Sequence, residues 1–192
     1  YGLAHEPTPQ QSIAAGVGLV FFSGDKLLGG PQSGIVVGQT ELVRRLERHP
    51  LARAVRIDKM NLAGLTATVL HYLKQEAEAE VPIWRMISAS EEGIKDRAAR
   101  WKTQLSLPGE VISGRSAVGG GSLPGETLPT WVLALSCEGD AGGPERVMRR
   151  LREANPPVVA RIEDDRVILD PRTVMPEEEE SLLTALRDAL SR

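Results

Sequence analysis

The 192-residue chain contains a single cysteine, Cys137. One thiol excludes an internal disulfide framework and fits a reducing, cytoplasmic setting. Histidine is also scarce: His5, His49 and His71 are scattered, without the Cys/His spacing of a structural zinc site, so no metal is expected. No apolar run approaches the roughly 20 residues that span a bilayer, and no signal peptide is visible. The formal net charge is −3, so no global basic field draws the chain to DNA. Two phosphate-binding signatures are missing as well. G-x-x-x-x-G-K-[ST] does not occur. The G-x-G-x-x-G fingerprint fails at "GVGLVF" (16–21), which lacks its third glycine, and at "GGGSLPG" (119–125), where Pro124 intervenes.

What is there supports one ordinary domain or two small ones, with 41% hydrophobic residues available for a core. "QSIAAGVGLVFF" (11–22) reads as a helix end and a strand from Val17 to Phe22, and "SGIVVG" (33–38) as a second short strand. Thr40 is placed to cap a helix over "TELVRRLERH", which Pro50 stops. "LARAVRID" is compatible with an extended segment or a helix start. The pattern at 59–80 predicts one long helix, with Leu62, Leu65, Val69, Tyr72 and Leu73 on one face. Further on, 90–105 reads as an amphipathic helix carrying Ile94, Ala98, Trp101 and Leu105. Residues 130–136 read as a strand, 143–155 as a helix, 157–172 as a hairpin around Glu163-Asp164-Asp165, and the end as a helix begun by Pro176 and four glutamates. This order suggests a small α+β layer with helices on one sheet face. Trp84, Trp101 and Trp131 are expected in the core, with Cys137 buried as a small hydrophobe.

The chemistry centres on "FFSGDKLLGGPQSG" (21–34), where Lys26 stands between an apolar strand and a glycine-rich turn. A lysine in such a loop is ordinarily a solvated surface residue. It becomes a nucleophile when burial or cationic neighbours lower its pKa. Residues 44–59 hold six basic residues against two acidic ones, a basic stretch on an acidic chain. Arginine offers forked donors matched to phosphate oxygens and stays charged.

The longer string "SGDKLLGGPQSGIVVG" (23–38) closely resembles the cofactor-lysine segment of the bacterial selenocysteine synthases, the L-seryl-tRNA(Sec) selenium transferases. "YGLAHEPTPQQSIAAG" (1–16), "HPLARAVRIDK" (49–59), "VGGGSLPGETLPT" (118–130) and "DDRVILDPRTV" (164–174) resemble further family stretches in the same order. The resemblance implies an α/β fold: a fold-type-I pyridoxal-phosphate transferase, with the end of the large domain at 1–58, a connecting helix at 59–80 and a small α+β domain at 81–192. It implies that Lys26 carries pyridoxal 5′-phosphate, with Ser23 near the cofactor phosphate. Asp25 would be an active-site acid, and Arg53 and Arg56 would bind the selenium donor, selenophosphate. The implied reaction converts seryl-tRNA(Sec) to selenocysteinyl-tRNA(Sec) by β-elimination and addition through an aminoacrylyl intermediate, in a ring-like homo-oligomer without a membrane.

Tyr1 begins the chain without a methionine, so an N-terminally truncated piece, inactive alone, is expected. The other readings are a different enzyme of this fold type, such as an ammonia-lyase acting on a sugar-acid phosphate, and a non-catalytic oligomerisation fragment. His5 is a candidate neighbour of the cofactor or a loop residue bonded to backbone. His49 is expected at a helix end and His71 on a helix surface. Gly119–Gly121 reads as a structural connection.

Overall fold

A computed structural model describes residues 1–106, 109–119, 121–137 and 142–191. The chain is mixed α/β with two sheets. It divides into two compact units. One comprises Tyr1–Ser88 together with Val118–Glu126; the other comprises Ala89–Ala117 and the chain from Thr127 onward.

The second unit is built on a four-stranded antiparallel sheet. Its strands are β3 (Gly109–Ala117), β4 (Thr127–Ser136), β5 (Arg161–Glu163) and β6 (Arg166–Leu169), in the order β3-β4-β6-β5. Strand β3 was not evident from the sequence. It is an edge strand, and its burial alternates only weakly. Nine residues of register against β4, from Gly109↔Leu135 to Ala117↔Thr127, define it. The β5–β6 hairpin turns through Asp164 and Asp165, both at positive φ (49° and 57°). A type I′ hairpin turn needs that conformation at both central positions.

Helices α7 (Glu91–Leu105), α8 (Gly143–Glu153) and α9 (Glu179–Leu190) complete this unit. Helix α7 starts where Ser90 accepts from Gly93 N at 3.2 Å. It buries Ile94, Ala98, Trp101 and Leu105, as the spacing predicts. Trp101 and Leu105 join Leu133 and Leu135 of β4, Val147 and Leu151 of α8, and Leu182 and Leu186 of α9 in one core. Cys137 is buried at its edge. Trp131 is only half-buried, contrary to expectation: it shares the β4 face of Leu133 and Leu135, but its ring is covered by a polar neighbour, the Lys95 ammonium 4.1 Å from its centroid. The acidic run at the end divides into a 3₁₀ turn, Pro176–Glu178, and α9.

A buried polar knot joins strands and turn in this unit. Asp170 accepts from Ser116 Oγ (2.6 Å), Thr130 Oγ1 (3.0 Å) and Arg172 N (3.0 Å). Arg172 donates to the carbonyls of Ala89 and Pro129, and burial pushes its guanidinium pKa down against the pull of Asp170 and Glu91. Arg97 donates to Glu179 (2.5 Å) and to the carbonyls of Pro171 and Val174, tying α7 to the 171–179 turn.

The first unit holds a β1–β2 hairpin (Leu19–Ser23, Gly34–Gly38) and helices α1 (Pro9–Ala14), α2 (Thr40–Glu47), α3 (Pro50–Ala54), α4 (Lys59–Leu73), α5 (Ala77–Glu80) and α6 (Pro82–Ser88). Two expectations about α2 and α3 are corrected here. Thr40 is the first residue of α2 and not its cap: Gln39 occupies the cap position, and its carbonyl accepts from Leu42 N and Val43 N. Pro50 ends one helix but also begins α3, with His49 Nδ1 accepting from Leu51 N at 3.2 Å.

The long helix expected over 59–80 stops at Leu73. Gln75 turns left-handed (φ 61°), Gln75 N bonds to Tyr72 O, and Glu76 N bonds to His71 O. This is a Schellman stop, made here without glycine. The His71 Nδ1–Glu76 Oε1 contact (2.9 Å) closes the same turn and holds the Glu76 carboxyl below its usual range.

Helix α4 does not bury the expected stripe. Leu62, Val69 and Leu73 are exposed, and Leu65, Thr68 and Tyr72 form its half-buried side. Trp84 is likewise half-buried.

Candidate functional site

Strand β1 ends at Ser23, and the chain then makes a tight loop around Lys26. Gly24 is the buried pivot. Its N–H donates to Ser33 O and its carbonyl accepts from Gly30 N, both at 2.8 Å. A Cβ on Gly24 would run into the Ser33 hydroxyl and lie 2.8 Å from the Pro31 carbonyl, so the closure requires glycine. Gly29 N donates to Lys26 O at 2.8 Å, and Gly29 takes φ +75° against Val81 and Ile83. The glycines in "SGDKLLGGPQSG" therefore fold the loop back on its strand. Asp25 and Lys26 are left exposed at its tip.

Helix α4 braces this loop. Leu65 approaches Gly24 and Gly30, Thr68 approaches Gly30, and Gly64 faces Pro31. Tyr72 provides the polar anchor. Its hydroxyl donates to Leu28 O at 2.9 Å, with Leu27 O at 3.2 Å, and accepts from Trp84 Nε1 at 2.6 Å. Burial pushes the Tyr72 phenol pKa up. These two aromatics were not legible as site residues, because 45 residues separate Tyr72 from Leu27 in sequence.

At the tip, Lys26 Nζ donates to Gly121 O at 3.1 Å. Gly121 belongs to the Val118–Glu126 connection, which clusters with the first unit. Glu6 accepts from Leu123 N at 3.1 Å, and Glu126 accepts from Ala4 N at 3.4 Å, so the chain's first residues hold this connection. The glycine-rich motif was visible in the sequence, but its contact with Lys26 was not. Gly120 lies outside the described residues.

Ser23 is half-buried at the strand end, next to the pivot. Arg53 lies in the last turn of α3 and Arg56 in the segment before α4; both are exposed, as are Arg44, Arg45 and Arg48. Among the described residues neither Arg53 nor Arg56 has an ion-pair partner, and no hydrogen bond joins them to Lys26. The structure thus brings Ser23, Asp25 and Lys26 together on one loop and places the two arginines on separate elements of the same unit. His5 bonds through Nε2 to the side chain of Gln11, whose amide oxygen also closes the capping box of α1 with Thr8. That role is structural.

The loop's chemistry suits a carbonyl cofactor. Such a group bonds to a lysine amine, and among the described residues no carboxylate is paired with the amine of Lys26. Lys26 meets a backbone carbonyl there, and the facing residue has no side chain. Among the described residues no cluster of three or more His, Cys, Asp or Glu could hold a metal ion, and no helix is long and apolar enough to cross a membrane.

Comparison with known proteins gives one family. The model of the L-seryl-tRNA selenium transferases matches residues 1–175. Curated relatives named L-seryl-tRNA(Sec) selenium transferase align over nearly all of the chain. That of Carboxydothermus hydrogenoformans is 44% identical, covering 93% of this chain and 39% of the relative. The Moorella thermoacetica protein is 44% identical, covering 99% and 42%. A protein from an Escherichia coli strain is 45% identical, covering 97% and 42%. The chain therefore spans about two fifths of the length of the curated relatives it matches.

Proposed function

We propose, from the premise that this chain belongs to the L-seryl-tRNA selenium transferase family, that its lysine loop takes part in converting seryl-tRNA(Sec) to selenocysteinyl-tRNA(Sec). The observation that carries the proposal is the presentation of Lys26: an exposed amine on a loop braced from behind and met at its tip by a backbone carbonyl. Pyridoxal 5′-phosphate, held at Lys26, supplies the electron sink for chemistry at the seryl α-carbon. The fold-type-I assignment belongs to this proposal too.

The chain's own residues then have separate tasks. Lys26 Nζ would hold the cofactor, and as a free amine would take the proton from the seryl α-carbon. The Ser23 hydroxyl, beside the Gly24 pivot, donates to the cofactor phosphate. Asp25 holds a proton for the departing seryl oxygen. Arg53 and Arg56 supply forked, permanently charged donors for the anionic selenium donor, selenophosphate. Their freedom from ion pairs among the described residues supports that task, because a paired guanidinium would first have to exchange partners.

The test is borohydride trapping with pyridoxal phosphate, followed by peptide mapping, on the wild-type protein and on Lys26→Ala. Label confined to Lys26, and lost in Lys26→Ala, is expected. Label scattered over surface lysines would overturn the assignment. Dependence of the activity on tRNA separates this reaction from an ammonia-lyase acting on a sugar-acid phosphate.

A further inference from the structure

We propose that Gly121 is a positioning residue for Lys26. Its carbonyl receives the amine, and its missing side chain leaves the space that the amine occupies. The functional meaning rests on the reading of Lys26 above; the geometry does not.

A lysine stem is flexible, and an exposed one samples many rotamers. Lys26 is constrained at both ends. Tyr72, backed by Trp84, holds the carbonyls of Leu27 and Leu28 that follow it. Gly121 O receives its Nζ at 3.1 Å. A Cβ at position 121 would collide with Lys26 Nζ and lie 3.5 Å from Cε. Gly121 also has φ +83°, which side-chain-bearing residues rarely adopt.

The same connection contains a built-in control. Gly125 has φ +82° but nothing within 4 Å of where its Cβ would be. Alanine at either position strains the backbone alike, and only at 121 does it displace the lysine. The connection is itself held by Glu6 at Leu123 N and by Glu126 at Ala4 N, so the carbonyl is presented from a fixed segment.

The experiment is lysine acylation by acetic anhydride on the cofactor-free protein, mapped by mass and referenced to the exposed Lys59. Wild type, Gly121→Ala and Gly125→Ala are compared. Lys26, displaced from its acceptor, is expected to label several-fold faster in Gly121→Ala and at the wild-type rate in Gly125→Ala. An unchanged rate in Gly121→Ala, or equal changes in both variants, overturns the proposal. If Gly121→Ala does not fold, hydrogen exchange of Lys26→Met replaces it. Amides in 121–126 should exchange several-fold faster than in wild type, and no change overturns the proposal.

Borohydride trapping on wild type keeps the two readings apart. Label on Lys26 with no effect of Gly121→Ala on acylation removes the positioning role and leaves the cofactor role standing. Label elsewhere with the acylation effect intact does the reverse.

Discussion

The second unit surrounds Trp101 with side chains from three helices and two strands, whereas the first unit leaves Met60 (85% exposed), Val55 (79%) and Leu73 (74%) in the open. The two are held together by different means. In the second, sheet and helices close over a continuous apolar core, and the buried carboxylate of Asp170 is satisfied by three donors. In the first, order around the lysine comes from glycine contacts and backbone hydrogen bonds in the 24–33 loop, secured by Tyr72 and Trp84. A core specifies by volume and tolerates little change in it. A loop of this kind specifies by direction, and single polar atoms decide where Lys26 points.

The sharpest test of that contrast is a matched truncation. Trp101→Ala should destabilise the chain by about 3–5 kcal/mol in denaturant unfolding, as fully buried aromatics do. Leu73→Ala, on the exposed side of α4, should stay within about 0.5 kcal/mol. Comparable losses at the two positions would erase the distinction. Asp170→Ala comes next. It leaves the Ser116 and Thr130 hydroxyls and the buried Arg172 without their carboxylate, and should cost about 3 kcal/mol. Asp170→Asn keeps the shape and two acceptor sites and should recover part of that loss. If both variants unfold like wild type, the knot contributes nothing to the second unit.

The smallest expected effect lies in the first unit. Tyr72→Phe keeps the ring but removes both carbonyl contacts and the acceptor for Trp84, a loss of about 1 kcal/mol. It should slow cofactor trapping at Lys26 more than it lowers stability. The pH dependence has a defined sign. Burial raises the folded phenol above its ordinary value of 10.0, so its contribution is complete below about pH 10 and falls away as pH rises through the raised value. The stability difference between wild type and Tyr72→Phe should shrink at that alkaline end and stay flat between pH 6 and 9. A difference that grows with pH would contradict a buried, donating phenol.

Much of this was legible in advance where the signal is local. Ile94, Ala98, Trp101 and Leu105 declare a helix face by spacing alone. The Glu163–Arg166 hairpin announces its turn, and the glycines around Lys26 mark a loop that must fold tightly. The proposed site residues Ser23, Asp25 and Lys26 stand together because they are neighbours in sequence. Other features carried no pattern that could be read in advance, whether their partners were near or far along the chain. Strand β3 has little pattern of its own and is a strand because β4 pairs with it. Helix α4 ends at Leu73 because Glu76 returns to His71 through both backbone and side chain, with no glycine or proline to signal the stop. The burial of α4 follows the loop it supports, so Leu65, Thr68 and Tyr72 face inward and Leu62 and Leu73 do not.

Periodicity, capping and glycine placement act within a few residues, and by themselves they determined most helices, the two hairpins and the lysine loop of this chain. Tertiary structure alone decided that Tyr72 and Trp84 brace that loop, that Gly121 meets the amine of Lys26, and that Asp170 is buried among hydroxyls. Each of those contacts joins residues separated by at least a dozen positions. A hydrogen bond forms only when donor and acceptor arrive within about 3 Å at a favourable angle, and no local spacing rule encodes that meeting.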